Sequence, residues 1–312
     1  MINYSDVAII KETGSIGNNF LISCGFRVIQ INFKFKLLRF VIRLFKLYFS
    51  FWLKLLFNID LKVLSKYSCI IMFDSSIEYI VCNVIQRNFH NKRLILYFWN
   101  KIDSKREKKI HHFKSKWQIY SYNNNDCCNF NLKYNKLFIP INNYIDKNIS
   151  EIKQDVFFIG RNKGRIDELL KIITKFKEIS VSYKVICVMK DKKHIKYYGE
   201  IIQTDTIPYE EVILEILSSK AILSIYNDNT DDVMTLRELE ALFLKKKLIT
   251  NNIMIKKQDY YHPNNIYIID YSASNIFEGF KDFLEKPFTI IDDDILKSYS
   301  IHSWIQRFEN IN

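Results

Sequence analysis

The chain has 312 residues, of which 48% are hydrophobic and 15% aromatic; the length suffices for two domains, and the composition excludes a disordered chain. The charge is placed unevenly, since residues 1–150 carry 23 Lys/Arg and 9 Asp/Glu, a net of +14, whereas residues 151–312 carry 23 and 25, a net of −2. The first half therefore favours an anionic partner. The candidates are anionic lipid, an anionic lipid-linked molecule and nucleic acid.

The first half alternates short apolar runs with helix-forming segments, which predicts a sheet with helices between its strands. The predicted strands cover residues 7–10, 27–32, 69–73, 93–98, 117–120 and 136–139. The predicted helices cover residues 18–24, 34–57 and 77–87, with a basic loop or helix at 101–116 and a polar stretch at 122–134. Pro140 and the Asn-rich residues up to 150 predict a linker.

The segment 33–57 is unusual because it is both basic and strongly apolar. On one continuous helix five of its polar side chains would form a narrow stripe, made of Arg39, Arg43, Lys46, Ser50 and Lys54. Its longest uncharged run, residues 47–53, is far shorter than the roughly 20 residues that span a bilayer. One interpretation is an interfacial helix that binds anionic lipid. The alternative is a helix buried on three sides, with only the stripe in water.

The second half repeats the alternation of strands and helices. Strands are predicted at residues 156–159, 183–188, 221–225, 247–250 and 266–269, and helices at about 166–178, 209–218, 235–245 and 274–283. Continuous apolar strands between amphipathic helices are typical of parallel sheets covered on both faces. The sequence thus predicts an α/β protein with two doubly wound, Rossmann-like domains, residues 1–145 and 146–312, facing a cleft. Ligands would bind beyond the carboxyl ends of the strands.

A basic loop with two glycines follows the first strand of the second half. The sequence VFFIGRNKGR at 156–165 places Gly160, Arg161, Lys163, Gly164 and Arg165 between this strand and the next helix. Such a loop lets the backbone approach an anion while cations neutralise it. The Walker pattern is absent, and the alternative is a solvated connection.

A capped helix follows the strand at 221–225, after a polar loop at 227–232. Thr235 and Glu238 have the spacing of a capping box, and the helix start offers backbone N–H groups to a phosphate. Arg237 is placed to clamp a diphosphate, and Glu240 to accept hydrogen bonds from a ribose diol. The alternative is an ordinary amphipathic helix with a good cap.

These motifs resemble the donor site of GT-B glycosyltransferases. In the second half the resemblance covers nearly the whole length, and its further segments are YEEVILEILSSKA at 209–221, KKKLITNN at 245–252 and HSWIQRFENI at 302–311. The last of these is similar to a terminal helix that crosses back onto the N-terminal domain. FWNKI at 98–102 and YSYNNNDCCNFNLKYN at 120–135 resemble bacterial surface-polysaccharide enzymes of this class. Many relatives carry a glycine just before the donor helix, where this chain has Val233 and Met234.

The resemblance implies transfer of a sugar from a nucleotide-diphosphate sugar to a polysaccharide or lipid-linked acceptor, as in capsule or lipopolysaccharide synthesis. It places the donor against Gly160, Arg161, Lys163, Gly164, Arg165, Thr235, Arg237 and Glu240. It implies no cofactor and no bound metal, because cations and a helix N-terminus offset the leaving diphosphate. The acidic run at 292–294 is interpreted as a turn or a helix start.

An inverting enzyme of this class would need a general base in the N-terminal domain. Asp74, at the carboxyl end of a strand, is the first candidate, and Glu12, in the loop after the first strand, is the second. Either carboxylate is alternatively a helix cap. Arg39, Arg43, Lys46 and Lys54 are the candidate contacts to a membrane or to the acceptor.

Two competing interpretations are a basic protein that binds nucleic acid or other anions, and an inactive GT-B-like protein. The charge of the first half favours the former, but no nucleic-acid-binding motif is present, so nucleic acid is not an expected partner. The six cysteines contain no Cys-x-x-Cys pair and residues 1–14 show no apolar leader. The expected location is the cytoplasm, with the inner face of the cytoplasmic membrane as a peripheral site.

Overall fold

The computed structural model describes residues 4–32, 35–140, 151–189, 201–226, 235–273 and 275–308. The chain divides into two compact units, residues 1–140 with 299–312 and residues 141–298. Each unit contains a six-stranded parallel sheet with helices between its strands. The prediction of an α/β protein with two Rossmann-like domains is therefore confirmed.

The first unit has its sheet in the order β2-β1-β3-β4-β5-β6. Its strands are β1 (Val7–Glu12), β2 (Arg27–Ile31), β3 (Cys69–Phe73), β4 (Arg93–Phe98), β5 (Gln118–Ser121) and β6 (Lys133–Tyr134). Its helices are α1 (Asn18–Ser23), α2 (Lys36–Leu44), α3 (Phe51–Phe57), α4 (Leu61–Leu64), α5 (Tyr79–Asn88), α6 (Ser104–Phe113), α7 (Asn124–Phe130) and α13 (Ile301–Gln306). The strand order reverses between β1 and β3, which makes their carboxyl ends the topological switch point where ligands bind in such sheets.

The second unit has the order β12-β11-β10-β7-β8-β9. Its strands are β7 (Gln154–Arg161), β8 (Tyr183–Val188), β9 (Ile202–Gln203), β10 (Ser219–Ser224), β11 (Lys247–Thr250) and β12 (Ile266–Ile268). Its described helices are α8 (Ile166–Glu178), α9 (Tyr209–Leu217), α10 (Leu236–Phe243), α11 (Phe280–Glu285) and α12 (Asp293–Lys297). Here the switch point lies between β7 and β10, and the two predicted motifs follow these strands.

Both faces of the first sheet are buried, as continuous apolar strands require. Alternate residues enter different cores, so that Ile10 and Met72 pack under the helices α2–α6 while Ile71 and Phe73 pack on the other face. The fully buried Trp304 of α13 lies in this second core, with its ring centroid 5.8 Å from that of Phe73. The end of the chain thus completes the first unit.

The prediction of one helix over residues 34–57 is wrong, because α2 ends at Leu44 and α3 begins at Phe51. The break is a Schellman motif: the Leu47 N–H donates to the Ile42 carbonyl at 3.0 Å and the Lys46 N–H donates to the Arg43 carbonyl at 3.2 Å. Lys46 is the left-handed residue, with φ 52°. Glycine usually marks such a stop, and the segment contains none.

Three smaller predictions also need correction. The strand predicted at 136–139 is wrong, since the sheet ends at β6 and Phe138 packs into the core without a strand. The polar stretch at 122–134 contains the helix α7, which Asn123 caps through the Asp126 N–H. The helix predicted at 274–283 begins only at Phe280. The acidic run at 292–294 is a helix start, as predicted, with Asp292 capping α12.

Candidate functional site

The loop after β7 is shaped by two residues in the left-handed region, Lys163 (φ 46°) and Gly164 (φ 87°). Gly160 lies just before this turn, where an added Cβ would approach the Phe158 ring to 3.2 Å. Only a residue without a side chain fits there without displacing the ring. Arg161 is exposed beside it.

Arg165 connects this loop to Ile225, the residue that follows β10 on the other side of the switch point. Its Nη1 donates to the Ile225 carbonyl at 2.6 Å, and its Nη2 donates to the Arg161 carbonyl at 2.9 Å. Burial lowers the pKa of Arg165, and the charge of Arg237 acts in the same direction. Because these donors bind backbone carbonyls, Arg165 holds the loop in shape.

Arg237 and Glu240 form an ion pair in the first turns of α10, with Arg237 Nη1 2.5 Å from Glu240 Oε2. Arg237 Nη2 also donates to the Ile159 carbonyl at 3.1 Å, so α10 is fixed against the end of β7. Only 1% of Glu240 is exposed, and burial raises its pKa although the Arg237 charge opposes the shift. Through these bonds Arg237 and Glu240 lie at the carboxyl end of β7, which carries the predicted residues Gly160 and Arg161.

The capping box predicted for α10 is confirmed. The Thr235 N–H donates to Glu238 Oε2 at 3.1 Å, and the Tyr226 hydroxyl donates to Glu238 Oε1. Burial raises the pKa of Glu238 to about 7. The polar loop at 227–232 and the departure at Val233 and Met234 lie outside the described residues.

A hydrogen-bond network at the same edge was not predicted from the sequence. Asn251, directly after β11, accepts from the Tyr226 N–H at 2.8 Å and donates to the Tyr226 carbonyl at 2.8 Å. Its Nδ2 also donates to Glu168 Oε1 at 3.2 Å. The Tyr271 hydroxyl donates to the same oxygen. The signal in the sequence was the Asn-Asn pair that ends KKKLITNN, since an amide side chain can continue a strand's hydrogen bonding.

The first unit places Asp74 directly after β3 and Glu12 at the last position of β1, on the two sides of its own switch point. Glu12 therefore ends the strand and does not lie in the loop predicted after it. Asp74 is buried, and its Oδ2 accepts from Asn100 Nδ2 at 2.9 Å and from Arg106 Nε at 3.1 Å. Burial raises the pKa of Asp74, while Asn100 and Arg106 act in the opposite direction. Glu12, by contrast, is exposed. The structure thus distinguishes an enclosed carboxylate from an accessible one.

Lys11 is a buried cation that the sequence analysis missed, because it lies in an apolar strand. Its Nζ donates to the Ile16 carbonyl at 2.8 Å and lies 4.3 Å and 4.5 Å from the ring centroids of Phe73 and Trp99. Burial lowers the pKa of Lys11 to about 7, and the charge of Asp74 opposes the shift.

The four predicted membrane contacts do not form one stripe. Arg39, with 12% of its side chain exposed, makes an ion pair with Glu78 at 3.2 Å, and Arg43 is half-buried. Lys46 and Lys54 are exposed, on the turn after α2 and on α3. The stripe is divided because the helix that would carry it is broken.

No protein-family model matches the sequence, and a search of curated proteins gives no match. Solved structures with the same fold do exist. An α-glucosyltransferase in complex with UDP and a 13-mer DNA matches with a TM-score of 0.61 at 12% identity, covering 97% of this chain and 98% of that one. Anabaena HepE in complex with UDP matches with a TM-score of 0.61 at 11% identity, covering 97% of this chain and 98% of that one. Sucrose-phosphate synthase from Thermosynechococcus elongatus matches with a TM-score of 0.56 at 9% identity, covering 97% of each chain. The chain therefore shares the two-domain α/β fold of these glycosyltransferases.

Proposed function

We propose that the protein is a glycosyltransferase that takes its sugar from a nucleotide-diphosphate donor. The observation that carries the proposal is the Arg237–Glu240 ion pair, held against the end of β7 at the switch point of the second sheet. A cation that a buried carboxylate holds beside a helix N-terminus can bind the phosphates of a nucleoside diphosphate. The neighbours whose structures contain UDP support the same donor class.

Each group at this edge has a chemical role in the proposal. Arg161, Lys163 and Arg237 neutralise the diphosphate as it leaves, so that no bound metal ion is needed for charge stabilisation. Glu240 is buried, and in the proposal it holds the Arg237 guanidinium toward the phosphates through their ion pair. Arg165 holds the loop after β7 through the Ile225 carbonyl.

For the general base we propose Glu12. A base must reach the acceptor's hydroxyl, and Glu12 is exposed whereas Asp74 is enclosed by Asn100 and Arg106. Asp74 then acts as a positioning residue for Arg106. If Asp74 were the base, Asp74→Asn would lower kcat more than Glu12→Gln does, with KM for the donor unchanged in both.

For the acceptor we propose a glycan or a lipid-linked oligosaccharide of the bacterial cell surface. This part rests on the segments at 98–102 and 120–135 that resemble surface-polysaccharide enzymes, and on the net charge of +14 in residues 1–150. A lipid-linked acceptor carries phosphate, which this charge attracts.

Nucleic acid is the second candidate acceptor. The same charge favours it, and one neighbour was solved with a DNA oligomer. Binding to DNA through phosphates would weaken steeply with salt.

The experiment that tests the function has two steps. Thermal shifts with UDP, GDP, CMP and dTDP identify the nucleotide, since a ligand at 100 times its Kd stabilises the folded state by about 2.7 kcal/mol. A radiolabelled sugar on that nucleotide is then offered to bacterial lipid-linked glycans and, separately, to DNA. We expect one nucleotide to raise Tm and the label to enter the lipid fraction. No shift with any nucleotide would reject the proposal, and label in DNA would select the second acceptor.

A further inference from the structure

The helices α2 and α3, with the turn between them and Phe35 before them, carry the most concentrated exposed apolar surface in the described part of the chain. Eleven of the nineteen large apolar side chains that are exposed there lie within residues 35–55. They are Phe35, Leu37, Leu38, Phe40, Val41, Leu44, Phe45, Leu47, Phe49, Phe51 and Leu55, and we call them the α2–α3 surface. Patches of this kind mark interaction sites, because a surface in water gains by being covered.

The orientation of α2 is the reverse of that of an ordinary surface helix. Its polar side faces the protein, where Arg39 pairs with Glu78 at 3.2 Å, and Ile42 is its one fully buried apolar residue. Its apolar side faces outward, with 77% of Leu37 exposed. A helix that directs leucine and phenylalanine outward and pairs its arginine inward is suited to an apolar partner.

The second helix is anchored just as firmly. Leu53, Leu56 and Phe57 of α3 are buried in the core beneath the first sheet, while Phe51 and Leu55 face outward. The α2–α3 surface is thus a fixed part of the first unit.

The charges around this surface identify its partner. Lys36, Lys46 and Lys54 are exposed among the apolar side chains, and residues 35–57 contain no Asp or Glu. An anionic bilayer satisfies both features, since its acyl region covers leucine and phenylalanine and its phosphates attract lysine. A second copy of the chain is disfavoured because a symmetric contact brings lysine against lysine.

The geometry fits a surface that lies on the membrane. In the described residues no helix is long and apolar enough to cross a bilayer. The nine residues of α2 span only about 13 Å.

We propose that the α2–α3 surface docks the protein on an anionic membrane, with its apolar side chains in the headgroup boundary and Lys36, Lys46 and Lys54 at the lipid phosphates. Docking stands independently of the proposed function. Only its use, the capture of a lipid-linked acceptor, rests on that function.

The test is co-sedimentation with vesicles of phosphatidylcholine alone or mixed with phosphatidylglycerol. We expect wild type to pellet with the anionic vesicles and to be released by salt, since exposed charges are screened beyond roughly 8 Å at physiological ionic strength. Leu37→Ser with Leu44→Ser and Leu55→Ser should lower partitioning at least tenfold, about the effect of losing several exposed apolar side chains. Lys46→Glu with Lys54→Glu should lower partitioning to the anionic vesicles by about 25-fold or more.

Matched controls keep the outcome decisive. Lys105→Glu with Lys108→Glu changes the same charge on exposed residues of α6, and Leu214→Ser with Ile290→Ser removes exposed apolar side chains from the second unit. Both should pellet like wild type, and all variants should keep the wild-type nucleotide affinity and Tm. Equal pelleting of all proteins, no pelleting of wild type, or a dimer that only the leucine variant dissociates would overturn the proposal. If wild type binds anionic vesicles but binds no nucleotide, the proposed glycosyltransferase function is rejected and the proposed docking surface is retained.

Discussion

Glu240 is a carboxylate from which water is almost fully excluded, and Arg237 is the cation that compensates its charge. Removing one partner of a buried ion pair lowers the stability by more than the pair contributes to it, because the remaining charge is left uncompensated. Arg237 is also the proposed ligand of the phosphates, so nucleotide binding and local stability are linked at this point.

Arg237→Ala should weaken binding of the nucleoside diphosphate by roughly 1.5–3 kcal/mol, the contribution of a charge-assisted hydrogen bond. Calorimetric titration measures this loss. Lys171→Ala is the matched control, because it removes an exposed cation from α8. Unchanged affinity in Arg237→Ala would place the nucleotide elsewhere.

Glu238 should make the stability of the second unit depend on pH. Burial raises its pKa from 4.5 to about 7, so the folded state binds its proton more tightly than the unfolded state does. The resulting stabilisation is complete below pH 4.5 and is lost as the pH rises through about 7. At one pKa unit per 1.36 kcal/mol the loss is at most about 3 kcal/mol.

Glu238→Gln should remove this dependence, since the amide stays neutral at every pH. Its one oxygen can accept from the Thr235 N–H, while its NH2 takes the position of the oxygen that faces the Tyr226 hydroxyl. Thermal unfolding between pH 4 and 8 should show Tm of the variant rising relative to wild type as the pH increases. A difference in Tm that stays constant with pH would contradict the shifted pKa.

At the scale of elements, the strands and the capped helix were predictable because their signals are local. Apolar runs such as 69–73 and 93–98 and the spacing of Thr235 and Glu238 require no tertiary information. The left-handed turn at Lys46, which follows the end of α2 at Leu44, was not predictable, since a lysine in the left-handed region leaves no mark in the sequence. The bonds of Asn251 to Tyr226 and the burial of Lys11 depend on pairings between distant segments, which a single sequence does not reveal.

The turn after α2 can be tested with two glycine substitutions. Lys46→Gly should stabilise the protein by up to about 1 kcal/mol, because glycine adopts the left-handed conformation without strain. Lys54→Gly, inside α3, should destabilise it by about 1 kcal/mol. Urea unfolding distinguishes the broken helix from a continuous one, in which both substitutions would destabilise the protein.

At the scale of the whole molecule, the chain forms two units, each built on a parallel sheet, and its last segment belongs to the first unit. The net charge is +14 in residues 1–150 and −2 in residues 151–312. Trp304 supplies a core residue packed between Phe73, Tyr97 and Phe138. The donor residues lie in the second unit, and the candidate bases and the α2–α3 surface lie in the first.

Trp304→Ala should destabilise the first unit by roughly 3–5 kcal/mol, as expected for a buried tryptophan. Limited proteolysis should cleave residues 4–140 readily in this variant while the second unit stays resistant. Leu214→Ala, at an exposed position, should resemble wild type. Equal protease resistance of both units in Trp304→Ala would contradict the assignment of α13 to the first core.

Hydrogen–deuterium exchange with and without saturating UDP tests the donor site most directly. We expect slower exchange in residues 159–168 and 235–243, which include the loop after β7 and α10, because bound phosphates would hold their backbone amides. The ends of β1 and β3 should exchange as they do without nucleotide. Protection confined to residues 4–140, or no protection while UDP is bound, would contradict the account.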